Sequence, residues 1–156
     1  MADSLEGLSP RARRVTVIAQ DPSVRRGKRI VMGAVALPRE DLRAGPWGHR
    51  VQIVDYDASL DRYRKPKPIT GSDDPFQGKD PERLTADPEF HAWNCYAIVM
   101  STLARFEFAL GRRVNWSFGG HQIKVVPHAF ADANAFYSRQ DEAIMFGYFQ
   151  GRNNTI

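Results

Sequence analysis

Apolar residues recur along two neighbouring stripes between Asp87 and Gly111. Asp87 can cap a helix, Pro88 suits its first position, and Gly111 follows the last apolar residue. The segment therefore predicts one long helix over about residues 88–110. Because the apolar residues cover much of its circumference, we expect neighbours on two sides of the helix. The stripes are Phe90, Trp93, Ala97, Met100 and Ala104, and Tyr96, Val99, Leu103, Phe106 and Leu110.

Three segments before residue 57 have the pattern of β-strands. Residues 14–20 and 29–37 are rich in β-branched side chains, and a turn sequence around Gly27 separates them, which predicts antiparallel neighbours. Residues 50–56 alternate polar and apolar side chains, as a strand with one solvated face does. We expect these strands to form a small N-terminal sheet.

The C-terminal part returns to strand patterns. Residues 121–128 predict one strand, and residues 133–138 and 143–149 predict a β-hairpin around a polar turn. The fold class predicted is therefore α+β, with small and mostly antiparallel sheets, one long packed helix and a C-terminal edge hairpin.

The segment over residues 58–86 differs from its surroundings. It is polar, contains four prolines and two glycines, and shows no sustained period, which predicts a long loop. The chain is thereby divided into a basic β-rich segment (1–57), this loop (58–86), and a helix with an edge strand (87–156).

Composition indicates a folded chain. Of 156 residues, 42% are hydrophobic and 11% aromatic, which is enough for a sizeable core. The single cysteine, Cys95, excludes an intrachain disulfide and lies in an apolar run, so we expect it to be buried. The start of the sequence lacks the apolar run of a signal peptide, and no segment offers the ~20 apolar residues of a membrane span. We therefore expect a cytoplasmic protein without a membrane partner.

The net charge of +4 is unevenly distributed. Residues 1–50 hold ten Lys or Arg and five Asp or Glu, which leaves twelve and thirteen for residues 51–156 out of totals of 22 and 18. Such a basic part could contact nucleic acid or an acidic protein, and a non-catalytic binding module is the alternative interpretation of the chain. The cations next to Gly27 are Arg25, Arg26, Lys28 and Arg29.

The sequence contains none of the common catalytic or metal-binding motifs. None of the four histidines belongs to an HExxH motif, and no CxxC, GxSxG or phosphate-binding glycine loop occurs. His121 and His128 are seven residues apart, which places them on opposite faces of a regular strand. We therefore predict no catalytic residue and no metal ligand in this chain. The remaining histidines are His49 and His91.

A long aromatic helix, a strand pair and the sequence ANAFYSRQDEAIMFGYFQG follow one another over about residues 87–150. This order resembles the region before the zinc helix of thermolysin-like metallopeptidases, the gluzincins. In that family the first strand of the hairpin borders the active-site cleft, and the peptide substrate adds to it as another strand. The resemblance implies that substrate is bound by Asn134, Ala135, Phe136 and Tyr137. Ala135 would offer its carbonyl, Asn134 its side-chain amide, and Phe136 would hold the strand on the domain.

Complete gluzincins continue into an HExxH helix that binds zinc and activates water, and these residues do not occur here. The resemblance thus implies an N-terminal fragment of a zinc-dependent metallopeptidase that is inactive alone. It implies no cofactor in this chain and zinc in the complete protein. The expected partners are a peptide or protein substrate and the remaining C-terminal part of the peptidase domain, which would cover apolar surface on the helix and hairpin.

Overall fold

The computed structural model describes residues 12–68 and 74–148, which form ten strands and two helices. The fold class is α+β, as predicted. The strands are β1 (Ala12–Ile18), β2 (Arg25–Arg26), β3 (Arg29–Ile30), β4 (Met32–Pro38), β5 (Val51–Ile53), β6 (Tyr56–Asp57), β7 (Arg62–Tyr63), β8 (Ile123–Phe130), β9 (Ala135–Ser138) and β10 (Ala143–Gly147), and the helices are α1 (Pro81–Leu84) and α2 (Pro88–Leu110).

Helix α2 begins and ends where the sequence predicts. The side chain of Asp87 accepts a hydrogen bond from the backbone N–H of Glu89 at 3.0 Å, and Pro88 occupies the first turn. At the other end, Gly111 has a φ of 63°, a left-handed conformation that glycine adopts without strain. Helix α2 packs against β1 and β4 and against β5 and β8, so two sheets flank it as expected.

The N-terminal strands form a ribbon. Strands β1 and β4 are antiparallel, with Val15 opposite Val35, and β2 and β3 form a tight hairpin around Gly27 at a φ of 66°. Strand β5 does not pair with β1 or β4, so the prediction of one N-terminal sheet that contains all three strands is wrong. It pairs in parallel with β8, where Val51 lies opposite Ile123. The alternating pattern correctly identified a half-buried strand but carries no information about its partner.

The larger sheet has the strand order β7-β6-β8-β10-β9, and β5 also lies along β8. Central strand β8 has parallel partners on both sides, whereas β9 and β10 are antiparallel. The predicted C-terminal hairpin is therefore confirmed, and β9 forms one edge of the sheet. Helix α2 lies between β6 and β8 in the chain and packs on the sheet, as a crossover between parallel strands does.

The polar segment after residue 57 wraps over the surface and also contributes to the core. It contains β7 and α1, and its side chains Phe76 and Leu84 are 1% and 2% exposed. Residues 69–73 of this segment lie outside the described residues. The division of the chain into three segments stays a prediction, and one buried cluster draws side chains from all three.

The core lies between α2 and the two sheets, where aromatic side chains meet edge to face. The rings of Phe76 and Phe90 are 5.2 Å apart at 77°, an arrangement that aromatic pairs favour. The far half of α2 is exposed instead, and Phe106 and Phe108 there are 60% and 90% accessible. Among the described residues, no helix has both the length and the apolar character needed to cross a bilayer.

Candidate functional site

The four residues predicted to bind substrate lie together on the open edge of the larger sheet. Asn134 precedes β9, and Ala135, Phe136 and Tyr137 form most of it; all four are exposed. Strand β9 pairs with β10 on one side, and among the described residues no strand pairs with its other side.

The register of the hairpin determines which backbone groups of β9 face outward. The N–H of Gly147 donates to the carbonyl of Asn134 at 2.8 Å. Because antiparallel strands bond across at every second residue, Asn134 and Phe136 direct their backbone groups to β10, and Ala135 and Tyr137 direct theirs outward. The N–H of Ala135 donates to Oδ1 of Asn134 at 2.8 Å. The carbonyl of Ala135 and both backbone groups of Tyr137 are thus the ones positioned to meet another strand.

The side chains of Phe136 and Asn134 make different contacts. The ring of Phe136 stacks on Phe130 at the end of β8, with centroids 5.4 Å apart and planes at 28°. This contact holds β9 against the sheet. Asn134 uses its Oδ1 for Ala135, which leaves the amide NH₂ group as the donor it can offer to a ligand.

Two devices fix the shape of the hairpin. In the turn between β9 and β10, the hydroxyl of Ser138 donates to Asp141 at 2.6 Å, and Glu142 adopts a φ of 52°. At its open end, Gly147 has no room for a side chain, because a Cβ there would overlap the carbonyl oxygen of Asp132 and lie 2.6 Å from the Phe130 ring. Strand β9 is therefore presented in a defined position.

By contrast, the outer edge of β1 is closed to a further strand. The N–H and hydroxyl of Thr16 donate to Oδ2 of Asp74 at 2.6 and 2.5 Å, and the N–H of Ile18 donates to Oδ1 of Asn94 at 2.9 Å. These side chains occupy the groups that an added strand would need. Of these two edges, β9 is the one whose outward backbone groups are open in the described residues.

A second cluster, which the sequence did not predict, is a partly buried histidine network. His91 on α2 and His128 on β8 place Nδ1 and Nε2 2.9 Å apart. The Nδ1 of His128 lies 3.1 Å from Oδ1 of Asp55, and the Nε2 of His91 lies 2.9 Å from the carbonyl oxygen of Thr85. The histidines are 37 residues apart in the chain, and no sequence motif marks the pair.

Asp55 also lines a cavity of about 500 Å³ between the start of α2 and the β6–β7 hairpin. Lys67 and Glu89 form an ion pair of 2.6 Å at its wall, and Arg64 binds Asp57. Ion pairs thus form part of the cavity wall, and Asp55 is the member of the histidine network that lines the cavity.

Burial changes the acid–base properties of several groups. Burial lowers the pKa of His91, with a smaller contribution in the same direction from the charge of His128. Burial raises the pKa of Cys95 to about 12, and the nearby Asp55 acts in the same direction. Cys95 is partly buried and packs against the core, so its thiol stays protonated at neutral pH and is a poor nucleophile.

The residues present do not fit a zinc site. Within residues 12–68 and 74–148, no group of three or more His, Cys, Asp or Glu side chains converges to hold a metal ion. In the histidine network, each facing nitrogen already has a hydrogen-bond partner. The zinc that the gluzincin resemblance implies therefore has no ligand set in the part of the chain that the structure describes.

Comparisons with protein-family models, with curated proteins and with solved structures find no match to this chain.

Proposed function

We propose that β9 is the substrate-binding edge of a thermolysin-like zinc metallopeptidase domain, to which an extended peptide adds as a further strand. The observation that supports this most is the open outer side of β9, with the backbone groups of Ala135 and Tyr137 directed outward. Unpaired edge groups bind any peptide backbone, and neighbouring side chains then select among sequences.

The roles of the site residues follow from the register. The carbonyl of Ala135 accepts from a peptide N–H, and the N–H of Tyr137 donates to a peptide carbonyl. These residues are two apart, and the same repeat of roughly 6.5–7 Å separates alternate residues of an extended peptide. The amide of Asn134 provides a further donor, and Phe136 keeps β9 in place through Phe130.

In this proposal the described residues bind the peptide, and the hydrolytic step belongs to the remaining C-terminal part of the complete domain, which supplies zinc and its ligands. The chain is expected to bind peptides without cleaving them. A cytoplasmic location is part of the same proposal, and cell fractionation of the natural protein tests it.

Peptide binding can be tested with a fluorescein-labelled octapeptide of alternating Thr and Val, which favours an extended backbone. Only every second amide of an added strand faces β9. Because the repeating peptide can present either alternate set of amides to β9, we expect N-methylation of one set to leave binding possible and N-methylation of all amides to abolish it. Binding of the fully N-methylated peptide, or no binding of the parent peptide, would contradict the proposal.

A pair of variants at Tyr137 separates the backbone contact from the side chain. Tyr137→Pro removes an N–H that faces away from β10, so the hairpin ladder is preserved while the peptide loses a donor. Tyr137→Ala removes the ring and keeps the N–H. We expect at least a tenfold loss of affinity in the Pro variant beyond that in the Ala variant, which corresponds to about 1.4 kcal/mol.

The alternative, a basic module for nucleic acid or an acidic partner, rests on a different surface. Arg25, Arg26, Lys28 and Arg29 are all exposed on the β2–β3 hairpin, and Arg25 forms an ion pair with Glu82. A single-stranded DNA probe distinguishes the two functions. Its binding would weaken steeply with salt and with substitution of these four cations by Ala, whereas peptide binding to β9 would change little.

A further inference from the structure

The histidine network is a series of three contacts at hydrogen-bonding distance, with an acceptor at each end. It runs from the carboxylate of Asp55 through His128 and His91 to the carbonyl of Thr85, with contacts of 3.1, 2.9 and 2.9 Å. It links four parts of the fold: the β5–β6 connection, β8, the first turns of α2 and the connection between α1 and α2.

The number of protons that the histidine network holds follows from the two groups at its ends, Asp55 and Thr85. Each of the three bonds needs one proton, and neither end can supply it, because an ionised carboxylate and a carbonyl oxygen only accept. Two neutral imidazoles carry two protons on four nitrogens. One of the three contacts would then bring two lone pairs together at hydrogen-bonding distance. The three bonds form together only when the network holds one additional proton.

The additional proton has a favoured position. If His128 is the imidazolium, its Nδ1 donates to Asp55 and its Nε2 donates to His91. His91 then stays neutral, accepts at Nδ1 and donates from Nε2 to Thr85. Burial disfavours a charge on His91, and the carboxylate of Asp55 directly balances a charge on His128.

We propose that a partly buried network of Asp55, His128 and His91 holds one additional proton and joins β8 to the start of α2 over a limited range of pH. Loss of the additional proton leaves the contact between His91 and His128 without a hydrogen, because the two protons that remain face the acceptors Asp55 and Thr85. Gain of a further proton places two N–H donors and two positive charges opposite each other at the contact of His91 with His128. Either change breaks the hydrogen bond between His91 and His128. The network therefore joins β8 and α2 in a pH-dependent manner.

Charged and titratable residues surround the histidine network on each element that packs against it. On the α2 side, Asp87 and Cys95 lie near the network, and Asp87 favours the charged form of His91. On the sheet side, Nε of Arg64 lies 3.8 Å from Oδ1 of Asp55. The remaining neighbours are Asp57, which Arg64 binds, and Tyr148, whose ring lies 5.7 Å from His128 and whose hydroxyl donates to Asp57 at 3.4 Å.

The network also reaches the peptide-binding edge. Tyr148 follows β10 directly, and its N–H donates to the carbonyl of Phe130 at 3.0 Å. The neighbouring Gly147 holds Asn134, the first residue of the proposed substrate site. The ring of His128 thus supports the open end of the hairpin through Tyr148. This connection does not depend on the proposed peptidase function.

Ring-nitrogen NMR of the uniformly ¹⁵N-labelled full chain tests the proposal. Long-range ¹H–¹⁵N correlation distinguishes protonated from unprotonated ring nitrogens at each histidine. Near pH 6.5 we expect two protonated nitrogens on His128 and one, Nε2, on His91. His49 and His121 are exposed and serve as references in the same spectrum. A single protonated nitrogen on His128 would overturn the proposal.

A pH series and one variant complete the test. Between about pH 4.5 and about pH 9, the proton shared by His91 and His128 should give a signal only in the middle of the range. A signal at all pH values, or at none, contradicts the limited range. In Asp55→Asn the balancing carboxylate is gone, so His128 should lose one proton at pH 6.5; an unchanged spectrum would overturn the assignment. The wild-type spectra decide the question even if this variant does not fold.

Discussion

Ile18 on β1 and Asn94 on α2 are joined by a hydrogen bond of 2.9 Å from the backbone N–H to the side-chain Oδ1. A helix side chain therefore completes the hydrogen bonding of a strand edge. The same bond fixes the ribbon of β1 and β4 relative to α2. It illustrates how the two edges described above differ, because the fold closes one and leaves β9 open.

Asn94→Ala should reduce stability. Without the side-chain oxygen, the partly buried N–H of Ile18 loses its acceptor, which costs about 1–2 kcal/mol in the free energy of unfolding. Urea denaturation followed by tryptophan fluorescence measures the change. Thr102→Ala, at an exposed position of α2, is the control and should change stability by less than about 0.5 kcal/mol. Equal effects of both variants would show that this bond contributes nothing specific.

Gly147→Ala should disrupt the open end of the hairpin. Its Cβ would overlap the carbonyl oxygen of Asp132 and lie 3.0 Å from that of Asn134, so the backbone must move, at a cost of about 1–3 kcal/mol. Gly119→Ala is the control, because a Cβ there meets nothing within 4 Å. Urea denaturation gives the stability change, and hydrogen exchange localises it. Wild-type stability in Gly147→Ala would mean that the strands are less closely packed here than described.

Glu142→Gly should stabilise the hairpin. Glu142 adopts a φ of 52°, which costs a residue with a Cβ about 1–2 kcal/mol and glycine almost nothing. Glycine also has more freedom in the unfolded chain, so the net gain expected is about 0.5–1 kcal/mol. Gln140→Gly, in the same turn and without a positive φ, should destabilise instead. The midpoints of urea denaturation compare the variants, and a loss of stability in Glu142→Gly would contradict the argument.

Acidification should weaken the fold through His91. Burial lowers the pKa of His91 in the folded protein, whereas in the unfolded chain it protonates near pH 6.5. Below that pH the unfolded state binds a proton at His91 that the folded state does not, so the contribution of His91 to the free energy of unfolding falls as the pH falls, by up to about 1.4 kcal/mol for each pH unit.

Urea denaturation at about pH 7, 6 and 5 measures this dependence before most carboxylates titrate. The pKa values of Asp57 and Glu107 are also lowered, so their contribution to stability is lost only at more acidic pH. His91→Gln should flatten the dependence above pH 5. An equally steep dependence in the variant would assign the effect to another group.

Local signals predicted much of the fold. Asp87, Pro88 and Gly111 define both ends of α2 through interactions within a few residues, which is why the predicted helix and the observed one coincide. The hairpin around residues 139–142 was predicted for the same reason. Its outer strand could be placed at an edge only through the gluzincin resemblance, which stays a prediction.

Long-range pairing could not be predicted in the same way. Nothing in residues 50–56 indicates that β5 runs parallel to β8, since one alternating pattern fits many partners. The polar segment after residue 57 was expected to be a loop, yet Phe76 is buried and Asp74 closes the edge of β1. The meeting of His91 and His128 likewise depends on how α2 lies on the sheet, which no local motif specifies.

The open side of β9 has a consequence for the behaviour of the protein in concentrated solution. The groups that would receive a peptide are equally suited to β9 of a second copy, and two antiparallel edges can pair through a twofold axis into one continuous sheet. Dimerisation and peptide binding would then compete for the same hydrogen bonds. Apparent peptide affinity should fall as the protein concentration rises, so the protein would act as its own inhibitor.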